Sequence, residues 1–422
     1  MPYPHELESW WLAAACRAAG SDDHAVALQR LEAAAARLSD QFTVDRPSAF
    51  RDYAADPVSL AAYGILFFPQ TFARVSLVIG ECLDCGAFDA GGEMVSRSGA
   101  KPNFLAPPSA SAPLRENNYF ETPPPIMQVL DLGCGSGAST LAAAMMLPNP
   151  PLALHAADHA PGALAALRQV FEDCRRALWP MASLTTHACD VRADAIPGLF
   201  DLILVSFVLN EIFPDGDVQH AEIWLRQQLM RLAPGGCLVV LEPAGTATCE
   251  RLQRLRNRLA DDPALTIVAP CPHRLPCPML GANCGFCHDV RTWRVPDSVN
   301  LINRRMFRSV HDLKYGLLVV QRAAPAGNNP ASFFRMVGPM NRDKGRLVTY
   351  GCCGDGTLRK IELMTRNLSR TQIDALAAQE RGDRLRMVNP KLLGDNRTWR
   401  AEALEPVAKI KLQNIECRTA ES

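Results

Sequence analysis

The chain has 422 residues, of which 48% are hydrophobic and 21% are charged, and its 44 basic residues balance its 44 acidic ones. This length can bury a sizeable core and predicts two or three domains. The zero formal charge argues against nucleic-acid binding along the whole chain but allows local basic patches. No apolar run is long enough to span a bilayer, and the first residues match no signal or transit peptide, so we expect a cytoplasmic protein without a membrane partner.

The first 125 residues are predicted to form a helical region that ends in a loop. Ala- and Leu-rich segments with apolar residues every three or four positions predict helices at 6–19, 23–39 and 60–84. Cys82 and Cys85 form a C-x-x-C motif near the end of the third helix. Because no second pair is nearby, burial is favoured over a metal site. Residues 88–119 are rich in Gly, Ser and Pro and predict a linker or mobile loop.

From residue 126 to 245 the pattern alternates between strands and helices. This order predicts an α/β fold, a Rossmann-like parallel sheet with helices on both faces. The predicted strands are 126–132, 152–157, 184–188, 200–208 and 237–241, and a strand at 315–321 would complete the sheet. Ligands of such sheets bind beyond the carboxyl ends of the strands.

Three glycines follow the first strand, in the motif DLGCGSG. Gly133 and Gly135 let the backbone turn tightly and approach a ligand, and Gly137 allows the next helix to pack close to the strand. The N-terminus of that helix would face the ligand. A purely structural turn is the alternative, but the strand before the motif and the strand–helix series after it favour a nucleotide-type site.

An aspartate lies at or just beyond the end of each of the first three strands. Asp131 belongs to the glycine motif, Asp158 is placed to accept ribose hydroxyls, and Asp190 or its neighbouring amide could contact an adenine base. Each could instead cap a helix or a loop. Their repetition at successive strand ends favours a cofactor site.

The glycine motif, together with Pro-Gly-Gly before the fifth strand, resembles class I S-adenosylmethionine methyltransferases. A nicotinamide-dinucleotide site would more usually have G-x-G-x-x-G, whereas residue 138 is Ala. The (N/D)PP(Y/F) motif of enzymes that methylate amino groups is absent after the fourth strand. Asn210 and Glu211 stand there instead, and Glu211 could serve as a base or a cap. The sequence thus has a motif for binding the methyl donor but no recognisable motif for the group that accepts the methyl.

Several of the 15 cysteines cluster late in the chain. A Pro- and Gly-rich segment contains Cys271, Cys277, Cys284 and Cys287, and the pair Cys352-Cys353 follows. In a reducing compartment such a cluster indicates a soft metal centre, either zinc or iron–sulfur, more than a set of buried thiols. Only one pair has the C-x-x-C spacing usual for zinc, so the spacing fits a cluster-binding loop better.

The segments CPHRLPCP, CGFCH and CCGDG, with SFVLNEI and LEPAGT, resemble the methyltransferase-like proteins that assist small-ribosomal-subunit assembly. That family is known from mitochondria and has bacterial relatives, and the resemblance runs through most of 57–363. It implies a methyltransferase fold that contacts small-subunit rRNA or a ribosome precursor, a [4Fe–4S] cluster, and a role in subunit maturation or translation.

The resemblance also implies a ligand set. Cys271, Cys277, Cys284 and Cys352 match the four cluster ligands, while Cys287 and Cys353 are alternates for the last two. Zinc is the alternative to the cluster. The sequence departs from the family at Asn-Cys-Gly-Phe, where bacterial members have Trp-Cys-His-Phe, and at Cys287, where relatives have Ser.

The rest of the chain is predicted to form two further regions. Residues 246–325 would hold a basic helix, the cysteine loop and the closing strand, and 326–422 a small β-containing region that supplies the distant cysteine. A locally basic stretch predicts either a solvated face or phosphate contacts: Arg291, Arg294, Arg304, Arg305, Arg308, Arg335, Arg342, Lys344 and Arg346.

Two functions remain open from the sequence. One is an S-adenosylmethionine-dependent rRNA methyltransferase, with Asn210 and Glu211 near the reacting methyl group. The other is a non-catalytic RNA-binding assembly factor that keeps the fold. No DNA partner is expected. A radical methylase is disfavoured because its C-x-x-x-C-x-x-C motif is absent.

Overall fold

A computed structural model of the protein describes residues 2–43, 52–86, 126–147, 151–281, 285–307, 310–323, 329–395 and 397–407. The predicted linker at 88–119, Cys284 and Arg308 lie outside these residues.

The described helices and strands follow one another as predicted at the start of the chain and continue further than predicted at its end. The helices are α1 (His5–Ala19), α2 (His24–Thr43), α3 (Pro57–Leu66), α4 (Phe68–Asp84), α5 (Ala138–Met146), α6 (Pro161–Leu178), α7 (Leu209–Ile212), α8 (Val218–Leu229), α9 (Thr246–Ala260), α10 (Asp297–Arg305) and α11 (Arg370–Ala377). The strands are β1 (Met127–Leu132), β2 (Leu152–Asp158), β3 (Ala182–Ala188), β4 (Phe200–Ser206), β5 (Leu232–Pro243), β6 (Thr266–Ala269), β7 (Asp289–Thr292), β8 (Asp312–Gln321), β9 (Phe333–Met336), β10 (Asn341–Asp343), β11 (Arg346–Cys353), β12 (Leu358–Met364), β13 (Arg384–Val388), β14 (Lys391–Leu392), β15 (Thr398–Ala401) and β16 (Ala403–Pro406).

The N-terminal helices pack on one another and on the sheet through a shared apolar core. The predicted helix at 60–84 is two helices that meet at Phe67, because Pro69 in the first turn of α4 is compatible with a helix start but not with a helix interior. No single described helix is long and apolar enough to cross a membrane. The α3–α4 pair reaches that length and apolarity only together, across a 41° bend.

The central sheet has the strand order β3-β2-β1-β4-β5-β8-β6, with β7 pairing with β8. Neighbours among β1 to β5 are parallel, and β8 runs antiparallel to β5. The order 3-2-1-4-5 is that of a Rossmann-type sheet, so the predicted fold class is confirmed. One face of the sheet packs on α5, α6 and the N-terminal helices, and the other packs on α8 and α9.

The strands from β9 onward form a second sheet with the order β14-β15-β12-β11-β9-β13-β16, and β10 also pairs with β11. Because only Glu402 separates β15 from β16, this sheet closes on itself as a small barrel around its own core. The sequence predicts a small β-containing region at 326–422 and, within it, one helix at 371–381. The helix is α11, and the strands β13 to β16 were missed because each is only two to five residues long.

Candidate functional site

The glycine loop lies at the carboxyl end of β1, as predicted. Gly133, Gly135 and Gly137 have φ angles of 71°, 52° and 92°, a conformation that residues with a side chain rarely adopt. Close packing adds a second restriction, since a Cβ on Gly137 would lie 2.1 Å from Leu167 Cδ1. The sequence therefore makes this turn with glycines because the backbone requires them.

Two of the three predicted aspartates face this loop. Asp131 is fully buried, and its Oδ2 accepts a 2.6 Å hydrogen bond from Thr140 Oγ1. Burial raises the pKa of Asp131 to about 7, and the nearby Asp158 adds to the shift. Asp158 accepts hydrogen bonds from the Gly135 amide at 2.8 Å and the Ala160 amide at 2.9 Å. It thereby braces the loop against the end of β2.

Asp190 is exposed and is engaged in its own turn after β3. Its Oδ1 accepts a hydrogen bond from the Arg192 amide at 2.9 Å, and its backbone N–H donates to Asp194 Oδ2 at 3.0 Å. Both the carboxylate and the amide proposed for base contacts therefore have partners within the turn. The structure places Asp190 beyond the end of the third strand and gives it a capping role there.

Two tyrosines from the N-terminal region cover the glycine loop. The hydroxyl of Tyr53 accepts a 3.1 Å hydrogen bond from the Ser136 amide, and its ring stacks on Tyr63 with centroids 4.1 Å apart. A Cβ on Gly135 would lie 2.7 Å from the Tyr53 hydroxyl. No motif in the sequence pointed to these residues, because they join the site only through the packing of distant elements.

The short helix α7 carries Asn210 and Glu211 and is held by Glu242 at the end of β5. Glu242 is fully buried and accepts a 3.0 Å hydrogen bond from the Leu209 amide. The side-chain amide of Asn210 is best oriented to donate to Glu242 Oε2 at 3.1 Å and to the Phe207 carbonyl at 2.8 Å. Asn210 thus positions the loop after β4.

Arg251 of α9 neutralises Glu242. Its guanidinium lies 3.2 Å from Glu242 Oε2 and also donates to the Phe213 carbonyl at 2.7 Å. The two side chains are 4% and 0% exposed, so each charge depends on the other. One half of the predicted basic helix is therefore structural and faces inward.

Glu211 lies on α7, just beyond the carboxyl end of β4. Surrounding protein, Glu242 and Asp158 raise its pKa to about 8, with burial as the first cause. The residue as a whole is exposed, so water also reaches its side chain and offsets part of this effect. A carboxyl whose pKa moves toward neutrality can exchange a proton at physiological pH.

A group of cysteines gathers where the cysteine loop meets the barrel. Cys271, Cys277 and Cys287 line one small cavity together with Cys249 of α9, and Cys352 of β11 packs against Cys277. Burial raises the pKa of Cys277 to about 12, with further contributions from Cys271 and Cys287. The same causes raise the pKa of Cys352 well above its ordinary value.

In the described ranges, no three or more His, Cys, Asp or Glu side chains stand in metal-ligating geometry. The predicted iron–sulfur cluster and its zinc alternative therefore have no direct structural support. What the structure brings together is Cys271, Cys277, Cys287 and Cys352. The matched third ligand, Cys284, lies outside the described residues.

The two adjacent cysteines of β11 point in opposite directions. Cys352 lies toward the loop, with His273 Nε2 3.2 Å from its sulfur, whereas Cys353 is buried in the barrel core. Alternation along a strand requires this, so only one of the pair can face the loop. The histidine is the third residue of CPHRLPCP, and its place between two cysteines is the sequence signal for this contact.

Side chains hold the irregular backbone of the cysteine loop. Arg256 of α9 is buried and donates to the carbonyls of His273 and Leu275. Asn257 accepts a 2.9 Å hydrogen bond from the Cys277 amide, and Asn329 donates to the Pro272 carbonyl at 2.9 Å. These bonds satisfy backbone groups that have no ladder partner, and they fix where the sulfurs lie.

Two residues of the predicted basic face are not on the surface. Arg335 is 2% exposed and pairs with the buried Asp289, and Arg291 is 9% exposed and lies 3.1 Å from Asp383. The interpretation of these two arginines as phosphate contacts is wrong, because both form buried ion pairs with carboxylates distant in the sequence.

Comparison with known proteins gives one family and a set of fold neighbours. The model of the family described as mitochondrial small ribosomal subunit Rsm22 matches residues 122–387, more than half of the chain. No curated protein matches with significance. Many solved structures also match parts of the chain.

N-methyltransferase NodS from Bradyrhizobium japonicum, bound to S-adenosyl-L-homocysteine, is 22% identical over 46% of this chain and 78% of its own, with a TM-score of 0.28. Magnesium protoporphyrin IX methyltransferase from Synechocystis is 13% identical over 47% and 75%, with a TM-score of 0.29. An S-adenosylmethionine-dependent methyltransferase from Clostridium acetobutylicum is 21% identical over 29% and 44%, with a TM-score of 0.22. These scores are too low to carry an argument, and the fold assignment rests on the strand order.

We predict that Arg251→Leu lowers the free energy of unfolding by about 3–5 kcal/mol, because it leaves the buried Glu242 carboxylate without its counter-charge. Arg254→Leu on the same helix is the matched control. Its guanidinium is 52% exposed and pairs with Glu250, so we expect a change within about 0.5 kcal/mol. Urea denaturation of both variants measures the difference, and equal losses would contradict the assigned role.

A second prediction concerns pH. Because the pKa of Glu211 in the folded protein lies above the ordinary 4.5, the native state keeps a proton that the unfolded chain has released between pH 4.5 and about 8. Stability should therefore fall as pH rises through this window. Glu211→Gln removes this titration. The unfolding free energy of the variant minus that of the unmodified protein should therefore increase from pH 4.5 to about 8 and level off above that. A difference that stays constant with pH would refute the shift.

Proposed function

The chain belongs to the family of mitochondrial small ribosomal subunit Rsm22 proteins, and from this premise we propose that it is a methyltransferase-like, S-adenosylmethionine-binding protein that acts on small-subunit rRNA during assembly of the subunit. The observation that carries the proposal is the carboxyl edge of the sheet, where the positive-φ glycine loop meets Asp131 and Asp158. The cytoplasmic location and the domain boundaries at 125, 245 and 325 stay predictions.

The residues at this edge fit the cofactor. Asp131 Oδ1 is buried without a hydrogen-bond partner in the described residues, as expected for an atom beside a ligand site. The glycine backbone of the loop at 133–137 would border the cofactor by close approach, because its amides already donate to Ala157, Asp158, Tyr53 and Cys134. Asp158 would accept from the ribose hydroxyls of the cofactor. The contact of Asp190 with the base stays a prediction, because its carboxylate accepts from the Arg192 amide within its own turn.

S-adenosylmethionine, when bound, supplies a methyl group that a nucleophilic nitrogen or oxygen of RNA can attack. Glu211 is the residue of this chain that would accept the proton released by the attacking group, since its raised pKa suits a general base. Asn210 would keep α7 in place through its bonds to Glu242 and Phe207. Holding the acceptor beside the methyl group could contribute about 7–11 kcal/mol in favourable cases.

A second candidate is a binding factor without methyl transfer. It is favoured by the tyrosine cover, because Tyr63 stacks on Tyr53 and lies near Glu211, where an acceptor would have to enter. In this version the fold serves as a platform for RNA, and the edge of the sheet binds the cofactor without an acceptor reaching it.

We also propose a metal centre on the cysteines. Their donor chemistry fits a soft centre: four thiols lie together, with Cys277 and Cys352 buried and the other two half-buried. Arg335 donates to Cys287 Sγ at 3.0 Å. Cys271, Cys277 and Cys352 would hold a [4Fe–4S] cluster or, as the alternative, zinc, with Cys287 or Cys284 as the remaining ligand. Such a centre would join the cysteine loop to the barrel.

The test of the function uses labelled S-adenosylmethionine and small-subunit precursor RNA. We expect cofactor binding and incorporation of label, both weakened about tenfold or more by Asp158→Ala, since hydrogen bonds to a charged group are worth about 1.5–3 kcal/mol. Asp201→Ala is the control, because Asp201 also accepts from a backbone amide, that of Gln128, but at the opposite end of the sheet.

Incorporation without loss in the Asp158 variant would contradict the assigned site. Cofactor binding without any incorporation would decide for the binding factor. Absence of both would remove the cofactor from the proposal.

The metal proposal predicts that anaerobic reconstitution with iron and sulfide gives a broad visible absorption that is lost in Cys271→Ser. Cys353→Ser should keep it, because that thiol faces the barrel core. Comparing Cys284→Ser with Cys287→Ser identifies the remaining ligand. A colourless protein that retains one zinc ion would support the zinc site over the iron–sulfur cluster. The absence of both metals after reconstitution would contradict the proposed metal centre.

A further inference from the structure

The C-terminal barrel has a topology that the sequence pattern does not predict. Its first strand, β9 with β10, pairs with β11 and with β13, while β11 pairs with β12, and β12 pairs in parallel with β15. The helix α11 connects β12 to β13, and β13 pairs with β16. This is the strand order of an OB-fold, whose second and third strands and flanking loops form a face that binds single-stranded nucleic acid.

The outer face of β11 and β12 carries an exposed aromatic ring. Tyr350 is 53% exposed, although its neighbours Thr349 and Gly351 are buried in the barrel. It pairs across the sheet with Lys360, whose side chain is 33% exposed. A large exposed ring beside a cation on a sheet is the combination on which unstacked bases lie in nucleic-acid-binding barrels.

The charges around this ring are positive on balance. Glu362 is 4% exposed and is surrounded by Arg346 at 3.0 Å, Lys360 at 3.3 Å and Arg400 at 3.3 Å. Three cations face two carboxylates, because Asp343 also pairs with Arg346, and this leaves one positive charge; Asp395 lies near Lys360 and offsets it. The loops at either side add exposed basic residues: Lys344, Lys391 and Arg397.

The cysteine loop sets the limit of this face. Cys352 lies two residues after Tyr350 on the same side of β11, and it is covered by Cys277 and Met279 together with Leu358. The half of the face beyond Cys352 is thus occupied by protein, and the half with Tyr350 and Lys360 is open. The barrel surface and the thiols are therefore parts of one structure.

We propose that the open face around Tyr350, Lys360 and Arg400 binds a single-stranded segment of RNA, with Tyr350 stacking on a base and the cations contacting phosphates. The charge of the face and its exposed ring favour RNA over an acidic protein, which would use the charge but not the ring. The identification of that RNA with the small subunit rests on the proposed function, whereas the single-strand site itself does not.

The experiment measures fluorescence anisotropy of a labelled oligouridylate of about 12 nucleotides, within the length that one OB-fold covers, with the full chain. We expect Tyr350→Leu to weaken binding about tenfold and Tyr350→Phe to leave it unchanged, because stacking needs the ring and not the hydroxyl. Lys360→Gln and Arg400→Gln should each lower the slope of log affinity against log salt by about 0.7. Arg386→Gln is the matched control, because Arg386 of β13 is exposed and paired with Glu405 of β16. It should change neither the affinity for the oligouridylate nor the salt slope.

Unchanged binding in Tyr350→Leu would overturn the proposal, as would equally tight binding of the same oligonucleotide annealed to its complement. Displacement of the RNA by polyglutamate as effectively as by unlabelled RNA would also overturn it, in favour of an acidic protein partner. Thermal unfolding of each variant confirms that the barrel is intact. If Tyr350→Leu loses the oligouridylate but still binds the small-subunit precursor, the single-strand site stands and the proposed function is carried by another surface.

Discussion

The arrangement of the molecule depends on a buried ion-pair network between the central sheet and the barrel. Asp289 of β7 and Arg335 of β9 pair at 1% and 2% exposure, and Arg291 lies 3.3 Å from Asp289 and 3.1 Å from Asp383. Charges removed from water are stable only when their partners are in place, so this network tolerates few relative positions of the two sheets. It acts as a constraint on geometry more than as a source of stability.

The same network decides where the cysteines meet. Arg335 also donates to Cys287, so one guanidinium links a carboxylate of the central sheet, the cysteine loop and the barrel. With the barrel held there, Cys352 faces Cys277, and Tyr350 on the same strand remains at the surface. A metal centre at the thiols would strengthen a junction that the ion pairs already define, and it would be coupled in this way to the orientation of the barrel face.

Local patterns predicted the central sheet well, because alternating strands and helices and the glycine turn each leave a signal within a few residues. The strands β13 to β16 were missed although residues 384–387 alternate polar and apolar side chains, since strands this short resemble loops. Arg335 was misassigned to the surface because its partner lies 46 positions away in the sequence. The choice between Cys352 and Cys353 depends on the register of β11. A shift of one residue would exchange the faces to which the two thiols point, and the spacing of the cysteines in the sequence does not reveal the register.

The central claim is that Cys352 of the barrel lies against the thiols of the cysteine loop. Mild oxidation of metal-free protein carrying Cys353→Ser, followed by peptide mapping, tests it directly, because a disulfide forms without backbone movement only between close cysteines. We predict a disulfide between Cys352 and one of Cys271, Cys277 and Cys287. Recovery of Cys352 as an unoxidised thiol, or its pairing with a cysteine outside this group, would contradict the account.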